Sequence, residues 1–146
     1  MIYTDGAARG NPGKGGYGVV MMYGTARKEL AGAYRHTTNN RMELMAVIES
    51  LKALTRLGQE VTIYSDSSYV VNAVEKGWLR GWLRKGFTGK KNEDLWRQYH
   101  ALSQAHRVRF VWVKGHASNI HNNRCDELAT WAADHGPWAE DVGYTG

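Results

Sequence analysis

Four acidic residues at distant points of the sequence are the strongest candidates for chemistry. Asp5 and Asp66 each follow a short strand-like stretch, and Glu43 and Asp126 lie where helical patterns begin. Ligands of open α/β sheets collect at the carboxyl ends of the strands, so we expect the four carboxylates to converge. Such a cluster is costly without cations, and its hard oxygen ligands suit Mg²⁺ or Mn²⁺. Two such ions about 4 Å apart favour in-line displacement at phosphorus, which indicates phosphodiester hydrolysis.

Each of the four acids also has a purely structural interpretation. Asn40-x-x-Glu43 and Asn123-x-x-Asp126 resemble capping boxes, in which the acid only satisfies backbone N–H groups at a helix start. Asp5 and Asp66 could be ordinary turn residues, because aspartate is common where strands end. Spacing alone therefore leaves both interpretations open.

The first third of the chain predicts three strands. Ile2 to Thr4 is followed by a segment dense in glycine, Gly6 to Gly18, which we interpret as a turn. Tyr17 to Tyr23 and Glu29 to Tyr34 then have the length and composition of strands, so the chain opens with an antiparallel meander.

Helices and strands alternate in the rest of the chain. Leu44, Val47, Ile48, Leu51 and Leu54 recur at helical spacing from Glu43 on, with Asn40 as the expected cap and Gly58 as the stop. The pattern then predicts a strand over 61–64 and a short helix over 69–75. It next predicts a helix marked by Leu95, Tyr99 and Leu102, a strand over 108–113 and a last helix around Cys125 to Ala132. This order predicts an α/β fold whose sheet is antiparallel in front, parallel behind and flanked by helices.

The bulk composition narrows the class of protein. A chain of 146 residues, 42% apolar and with two prolines, is expected to form one globular domain over 1–146. No apolar run is long enough to cross a membrane and no signal peptide is evident, so we expect a cytoplasmic protein with no membrane partner. The single Cys125 excludes an intrachain disulfide, and the net charge of +5 favours a polyanionic partner.

Five sequence segments resemble the signatures of bacterial type 1 ribonucleases H. The first is Thr4-Asp5-Gly6 together with the glycine-rich segment 10–18, and the second is Thr37 to Leu44. The third is Ser65 to Val70, the fourth Trp112 to Ala117 and the fifth Asn123 to Ala129. The match runs in order from Ile2 to about Ala133, which makes the resemblance highly specific.

The resemblance implies the ribonuclease H fold with a five-stranded mixed sheet, and cleavage of the RNA strand of RNA–DNA hybrids. It also implies that Asp5, Glu43, Asp66 and Asp126 are catalytic and hold two Mg²⁺ ions, for which Mn²⁺ could substitute. His116 corresponds to the mobile histidine of the family, thought to assist proton transfer or product departure. The expected products carry 5′-phosphate and 3′-hydroxyl ends, and the expected state is a monomer without an organic cofactor.

Three further groups of residues are expected to bind the hybrid. Between Lys76 and Lys91 the chain has six basic residues, no acid and interleaved aromatic rings, a mixture that suits a nucleic-acid backbone. The resemblance identifies this stretch as a basic protrusion made of Trp78, Arg80, Trp82, Arg84, Lys85, Lys90 and Lys91. It also implies minor-groove contacts from Asn11, Asn39, Asn40 and Ser68, and a DNA-strand phosphate pocket formed by His36, Thr38 and Asn92. Relatives more often carry Arg at position 36, and some carry Gln at position 68.

Several other functions compete with this interpretation. Gly13 to Gly18 matches the G-x-G-x-x-G pattern of dinucleotide-binding proteins, but a strand rather than a helix is expected after it. A zinc site of His116, His121 and Cys125 lacks a fourth ligand and the usual short spacing. A catalytically weak hybrid-binding module on the same fold, and a metal-free ribonuclease that leaves a 2′,3′-cyclic phosphate, remain as alternatives.

Overall fold

The computed structural model describes residues 1–114 and 119–145, and within them six strands and five helices. The strands are β1 (Ile2–Arg9), β2 (Gly13–Tyr23), β3 (Ala26–Thr37), β4 (Glu60–Ser65), β5 (Arg107–Trp112) and β6 (Trp138–Ala139). The helices are α1 (Asn39–Lys52), α2 (Ser68–Glu75), α3 (Trp78–Arg84), α4 (Glu93–Ser103) and α5 (Ile120–His135). None of these helices has the length and apolar content needed to cross a membrane.

The strands form one mixed sheet in the order β5-β4-β1-β2-β3-β6. β1, β2 and β3 are an antiparallel meander, and β1, β4 and β5 pair in parallel, as the sequence predicts. The expected strand count of five is wrong by one, because β6 adds two residues in parallel to β3. β6 is too short to carry a periodic pattern, so nothing in the sequence marks it as a strand.

Alternating side chains of the sheet build a core on each of its faces. Ile2 and Val19 belong to the large cluster that includes the apolar side chains of α1, α2 and α4. The next residues along each strand, Tyr3 and Val20, pack instead with Cys125 of α5. Because successive strand residues point to opposite faces, α1 and α5 cover opposite sides of the sheet.

The prediction that Gly6 to Gly18 is a turn is wrong, since most of the segment lies in β1 and β2. Its glycines mark places where helices contact the bare strand backbone. A Cβ at Gly6 would collide with the backbone of Met42 and Glu43 in α1, and one at Gly18 would collide with the backbone of Cys125 in α5. Glycine at these positions therefore permits close helix packing, rather than chain reversal.

The expected helix cap at Asn40 is wrong, and neither of the two capping boxes that the spacing left open is formed. α1 is capped by Thr38, whose hydroxyl accepts a hydrogen bond from the Arg41 N–H, and α5 is capped by Asn119. Glu43 and Asp126 consequently lie in the second turn of their helices, where no backbone N–H needs a cap. α1 ends at Lys52, before the predicted stop at Gly58.

The other predicted elements lie within a few residues of their observed positions: α2, α4, β4 and β5 are all present. α3 was not predicted, because Gly81 and two tryptophans interrupt its pattern and its only buried residue is Leu79.

Candidate active site

Three acidic side chains meet at the carboxyl end of the parallel strands. Asp5, Glu43 and Asp66 each offer one carboxylate oxygen, and these oxygens all lie within 4.8 Å of one another. Asp5 comes from β1, Asp66 directly follows β4, and Glu43 comes from α1. These three acids are far apart in the sequence and lie close together in the fold, as expected from their positions near the ends of strands and the start of a helix.

Close packing between α1 and β1 delivers Glu43 to Asp5. Gly6 follows Asp5 directly, and its missing side chain lets the backbone of Met42 and Glu43 rest on the strand. The Gly6 N–H also donates a hydrogen bond of 2.9 Å to Oδ1 of Asp5, which orients that carboxylate. The dipeptide Asp5-Gly6 thus supplies both an acid and the space for a second one.

The turn after β4 is held by serines on both sides of Asp66. Oγ of Ser65 accepts from the Ser67 N–H at 3.1 Å, and Oγ of Ser67 accepts from the Val70 N–H and caps α2. The indole N–H of the exposed Trp112 donates to the backbone carbonyl of Asp66 at 3.2 Å. These bonds fix the backbone on which the Asp66 carboxylate is carried.

Asp126 approaches the same point from α5. Its side chain is exposed and does not belong to the set of three close oxygens, but its negative charge contributes to the raised pKa of Asp5. The fourth acid therefore stands at the solvent rim of the cluster.

The three inner acids repel one another in a poorly solvated place. Asp5 is only 5% exposed, and burial together with the charge of Asp66 raises its pKa to about 8. Burial and the charges of Asp5 and Asp66 also raise the pKa of Glu43 well above its ordinary value. A multivalent cation would reverse these shifts by stabilising the ionised forms.

Two carboxylate oxygens of the cluster are buried without a hydrogen-bond partner in the described residues: Oε1 of Glu43 and Oδ1 of Asp66. A buried acceptor without a partner costs about 1–3 kcal/mol, more if it is charged. Hard oxygen atoms in this position are suitable ligands for Mg²⁺ or Mn²⁺, so the residues fit a divalent ion.

His116 lies outside the described residues, so its predicted role stays a prediction. The other two members of the zinc alternative are described. The His121 ring packs on Tyr3 with 5.1 Å between centroids, and burial raises the pKa of the Cys125 thiol to about 12. A thiol that stays protonated is a poor zinc ligand, because zinc binds the thiolate.

The predicted minor-groove asparagines lie together beside the start of α1. Oδ1 of Asn11 accepts from the Asn39 N–H at 3.1 Å, and Oδ1 of Asn39 accepts from the Ala8 N–H at 2.7 Å. These bonds tie the β1–β2 turn to the helix that carries Glu43. Asn40 is exposed next to them, and Ser68 is exposed at the start of α2, two residues after Asp66.

A cavity of about 840 Å³ lies next to the asparagines. Thr38 and Asn92, two of the three residues predicted for the phosphate pocket, line it, as do Lys90, Lys91 and Arg97. His36 is not among the lining residues; its exposed ring packs against Tyr144 with 5.5 Å between centroids.

The predicted basic protrusion consists of α3 and the loop that follows it. Arg80, Arg84, Lys85, Lys90 and Lys91 are all exposed, and none of them forms a salt bridge with another described residue. Trp78 is 44% exposed, whereas Trp82 is half-buried and packs on Tyr69 and Trp96. Trp82 thus belongs partly to the core, with the Lys90 ammonium 5.8 Å from its ring centroid.

The sequence did not indicate the part played by the C-terminal segment. Gly143, Tyr144 and Thr145 line the 840 Å³ cavity, and Asp141 forms a buried ion pair with Arg41. No periodicity or motif marks these residues, because their contacts are with side chains distant in the sequence: Arg41 is 100 positions from Asp141, and Gly143 packs on Asp94.

Comparison with known proteins finds relatives over most of the chain. The family model described as RNase H matches residues 1–134. The Ribonuclease H of Syntrophus aciditrophicus (strain SB) is 52% identical over 99% of this chain and 86% of its own length. That of Chlorobaculum parvum (strain DSM 263 / NCIMB 8327) is 54% identical over 90% of this chain and 92% of its own.

Solved structures show the same fold. LC9-RNase H1, a type 1 RNase H with the type 2 active-site motif, has a TM-score of 0.78 and 30% identity, over 91% of this chain and 71% of that one. LC11-RNase H1 in complex with an RNA/DNA hybrid has a TM-score of 0.67 and 28% identity, over 91% and 95% of the two chains. Together with the sequence matches, these likenesses show that this chain belongs to the RNase H family, and is thus an endoribonuclease.

Proposed function

We propose that this chain hydrolyses the RNA strand of RNA–DNA hybrids with two divalent metal ions. The observation that carries the proposal is the acidic cluster, in which oxygens of Asp5, Glu43 and Asp66 lie within 4.8 Å and two buried oxygens lack partners among the described residues. The hybrid bound to LC11-RNase H1, a structural relative, supports the choice of substrate.

Asp5, Glu43, Asp66 and Asp126 would hold the ions, which are Mg²⁺ in this proposal, with Mn²⁺ as a possible substitute. When bound, the ions neutralise charge at the scissile phosphate and acidify the attacking water. The Gly6 N–H orients the Asp5 carboxylate, the serines around Asp66 fix the backbone that carries its carboxylate, and Asp126 would complete the set from the solvent rim. His116 would assist proton transfer or product departure.

The surroundings of the cluster fit a nucleic-acid duplex. Asn11, Asn39, Asn40 and Ser68 would contact the minor groove, where 2′-hydroxyls distinguish RNA from DNA. Thr38 and Asn92 would bind a DNA-strand phosphate, with His36 nearby, and the exposed cations of the protrusion would follow the DNA backbone beside Trp78 and Trp82. Such contacts carry little base information, so sequence specificity should be low.

The direct test is incubation with end-labelled RNA–DNA hybrid, duplex RNA and duplex DNA, each with Mg²⁺ and with chelator. We expect cleavage of the RNA strand of the hybrid only, and only with the metal. Cleavage that survives chelation and leaves 2′,3′-cyclic phosphate ends would overturn the proposal, since metal-ion hydrolysis leaves 5′-phosphate and 3′-hydroxyl ends. Hybrid binding without any cleavage would identify a binding module instead.

We further propose that residues 1–146 act as a single domain and as a monomer. All four acids come from one chain, and β6 and Asp141 attach the C-terminal segment to the same sheet and helices. Hydrolysis needs only water and the ions, so no organic cofactor is required. Size-exclusion chromatography with light scattering, together with activity at limiting dilution, checks the monomer.

A further inference from the structure

Arg41 is the centre of a buried ionic network at one wall of the 840 Å³ cavity. Its side chain is 2% exposed and pairs with two carboxylates, Asp141 from the C-terminal segment and Asp94 from α4. Nε and one terminal nitrogen donate to Asp141 at 2.7 and 2.8 Å, and both terminal nitrogens donate to Asp94 at 2.9 and 2.7 Å. A fifth, longer bond of 3.3 Å reaches Oδ1 of Asn92.

All five side-chain N–H groups of Arg41 are therefore used within the protein. Although Arg41 lines the cavity, it has no donor left for a phosphate, and its single positive charge is already paired with two carboxylates. Its role is to connect three pieces of chain: α1, the start of α4 and the C-terminal segment.

The network sets the donors that remain available to a ligand. Oδ1 of Asn92 accepts from Arg41 and Nδ2 donates to the Tyr69 hydroxyl at 3.1 Å, which orients the amide and leaves its second N–H for a ligand. Oγ1 of Thr38 accepts from the Arg41 backbone N–H, so the hydroxyl hydrogen can be donated elsewhere. Both of these donors are on residues that line the cavity.

Tyr144 lines the cavity next to this ionic network. Its ring lies 5.7 Å from the Arg41 guanidinium and 5.5 Å from the His36 ring. Gly143 packs so closely on the Asp94 carboxylate that a Cβ there would collide with it. The C-terminal backbone is therefore held against the ion pairs, and the Tyr144 ring is placed in the lining between His36 and the cavity.

We propose that residues 143–145, held in place through Asp141, form one wall of the cavity that binds a DNA-strand phosphate and its deoxyribose. Tyr144 contacts the bound sugar-phosphate, and Asp141 is a positioning residue that acts through Arg41 on Asn92. Lys90 and Lys91 supply positive charge to the cavity, whereas Arg97, which also lines it, is paired with Glu93 at 2.7 Å. The proposal rests on the proposed function, because the ligand is the DNA strand of the hybrid.

The test uses the full chain and hybrids whose DNA strand carries a single neutral methylphosphonate at successive positions. In the wild type, one position should raise KM most, and this identifies the bound phosphate. Tyr144→Ala should raise KM for the all-phosphate hybrid roughly two- to tenfold, equivalent to about 0.4–1.4 kcal/mol of binding free energy, with kcat unchanged. In the same variant, the increase in KM that a methylphosphonate causes at the identified position should be smaller than in the wild type.

Tyr144→Phe keeps the ring, so its KM should lie closer to that of the wild type than the KM of Tyr144→Ala does. Tyr23→Ala removes an 86% exposed tyrosine at the far end of β2 and is the matched control for the removal of a surface ring. Asp141→Asn should raise KM as well, with a lower melting temperature. If that variant does not fold, Tyr144→Ala still decides the question.

Hybrid affinity is measured in parallel in an Asp5→Asn background, which separates this proposal from the catalytic one. Cleavage by the wild type together with an unchanged KM, Kd and methylphosphonate profile in Tyr144→Ala would overturn the inference and leave the proposed function intact. Weakened binding in Tyr144→Ala without any cleavage by the wild type would support the role of the C-terminal segment in hybrid binding and refute the proposed function.

Discussion

Asp5 and Asp66 occupy equivalent positions in two neighbouring parallel segments, each one residue beyond the last pair of the β1–β4 ladder, Thr4 with Ser65. The ladder therefore places two carboxylates side by side at the same edge of the sheet. Glu43 joins them because Gly6 lets α1 contact β1. The site is thus built by strand register and by one close helix contact.

Asp5→Asn should remove activity and keep binding. The amide has nearly the same shape but lacks the charge that attracts a cation, so we expect kcat to fall at least about 10³-fold, equivalent to about 4 kcal/mol. Hybrid affinity, measured by fluorescence anisotropy, should stay close to that of the wild type. Turnover at the wild-type rate would refute the assignment of metal ligands.

The metal-free protein should become less stable as the pH rises. The pKa of Asp5 is about 8 in the folded protein and 3.8 in its ordinary state, so between these values the folded chain binds a proton that the unfolded chain has released. Stability therefore decreases through this window, by up to about 1.4 kcal/mol per pH unit for one proton. Urea melts in chelator from about pH 4 to about pH 8 measure the slope.

In the same melts Asp5→Asn should show a flatter slope and higher stability at the alkaline end. Added Mg²⁺ should stabilise the wild type more at the alkaline end than near neutrality, because its ligands must be deprotonated. A wild-type stability that increases with pH in chelator would contradict the raised pKa.

Gly6→Ala should damage both stability and activity. The added methyl would collide with the backbone of Met42 and Glu43, and overpacking of this kind typically costs about 1–3 kcal/mol. Displacement of Glu43 should lower kcat more than it raises KM. Thermal melting and steady-state kinetics measure the two effects.

Gly81→Ala is the matched control for that substitution. Gly81 lies inside α3 with nothing within 4 Å of a built Cβ, so alanine should stabilise the protein by about 0.5–1 kcal/mol. Equal effects of the two substitutions would show that the contact at Gly6 is unimportant.

Lys85→Gln and Lys90→Gln should weaken hybrid binding and make it less dependent on salt. Each lysine is exposed and forms no salt bridge with the residues that the structure describes, so each could neutralise a phosphate. The slope of log K against log[salt] should fall by about 0.7–0.9 for each phosphate that is no longer neutralised. Lys28→Gln, an exposed position on β3, should leave the slope unchanged. An identical slope in all three variants would indicate that the protrusion faces solvent only.

The sequence was sufficient for the parts of this protein that depend on local patterns. Strand composition before Asp66 and helical periodicity after Glu43 predicted the elements, and the order of those elements predicted an antiparallel front with a parallel rear. The five signatures pointed to the family. These features are readable because side-chain periodicity reflects which face of an element is buried.

Tertiary structure alone decided what depends on contacts between distant residues. Gly6 and Gly18 belong to a glycine-rich segment whose composition is typical of a turn, yet both lie in strands, where helices pack against them. Glu43 and Asp126 resemble capping residues, yet Thr38 and Asn119 cap the helices. Asp141 pairs with Arg41 across 100 positions of sequence, and no local pattern encodes such a partner. Close approach and ion pairing are properties of the assembled chain, and they determine the shape of the site.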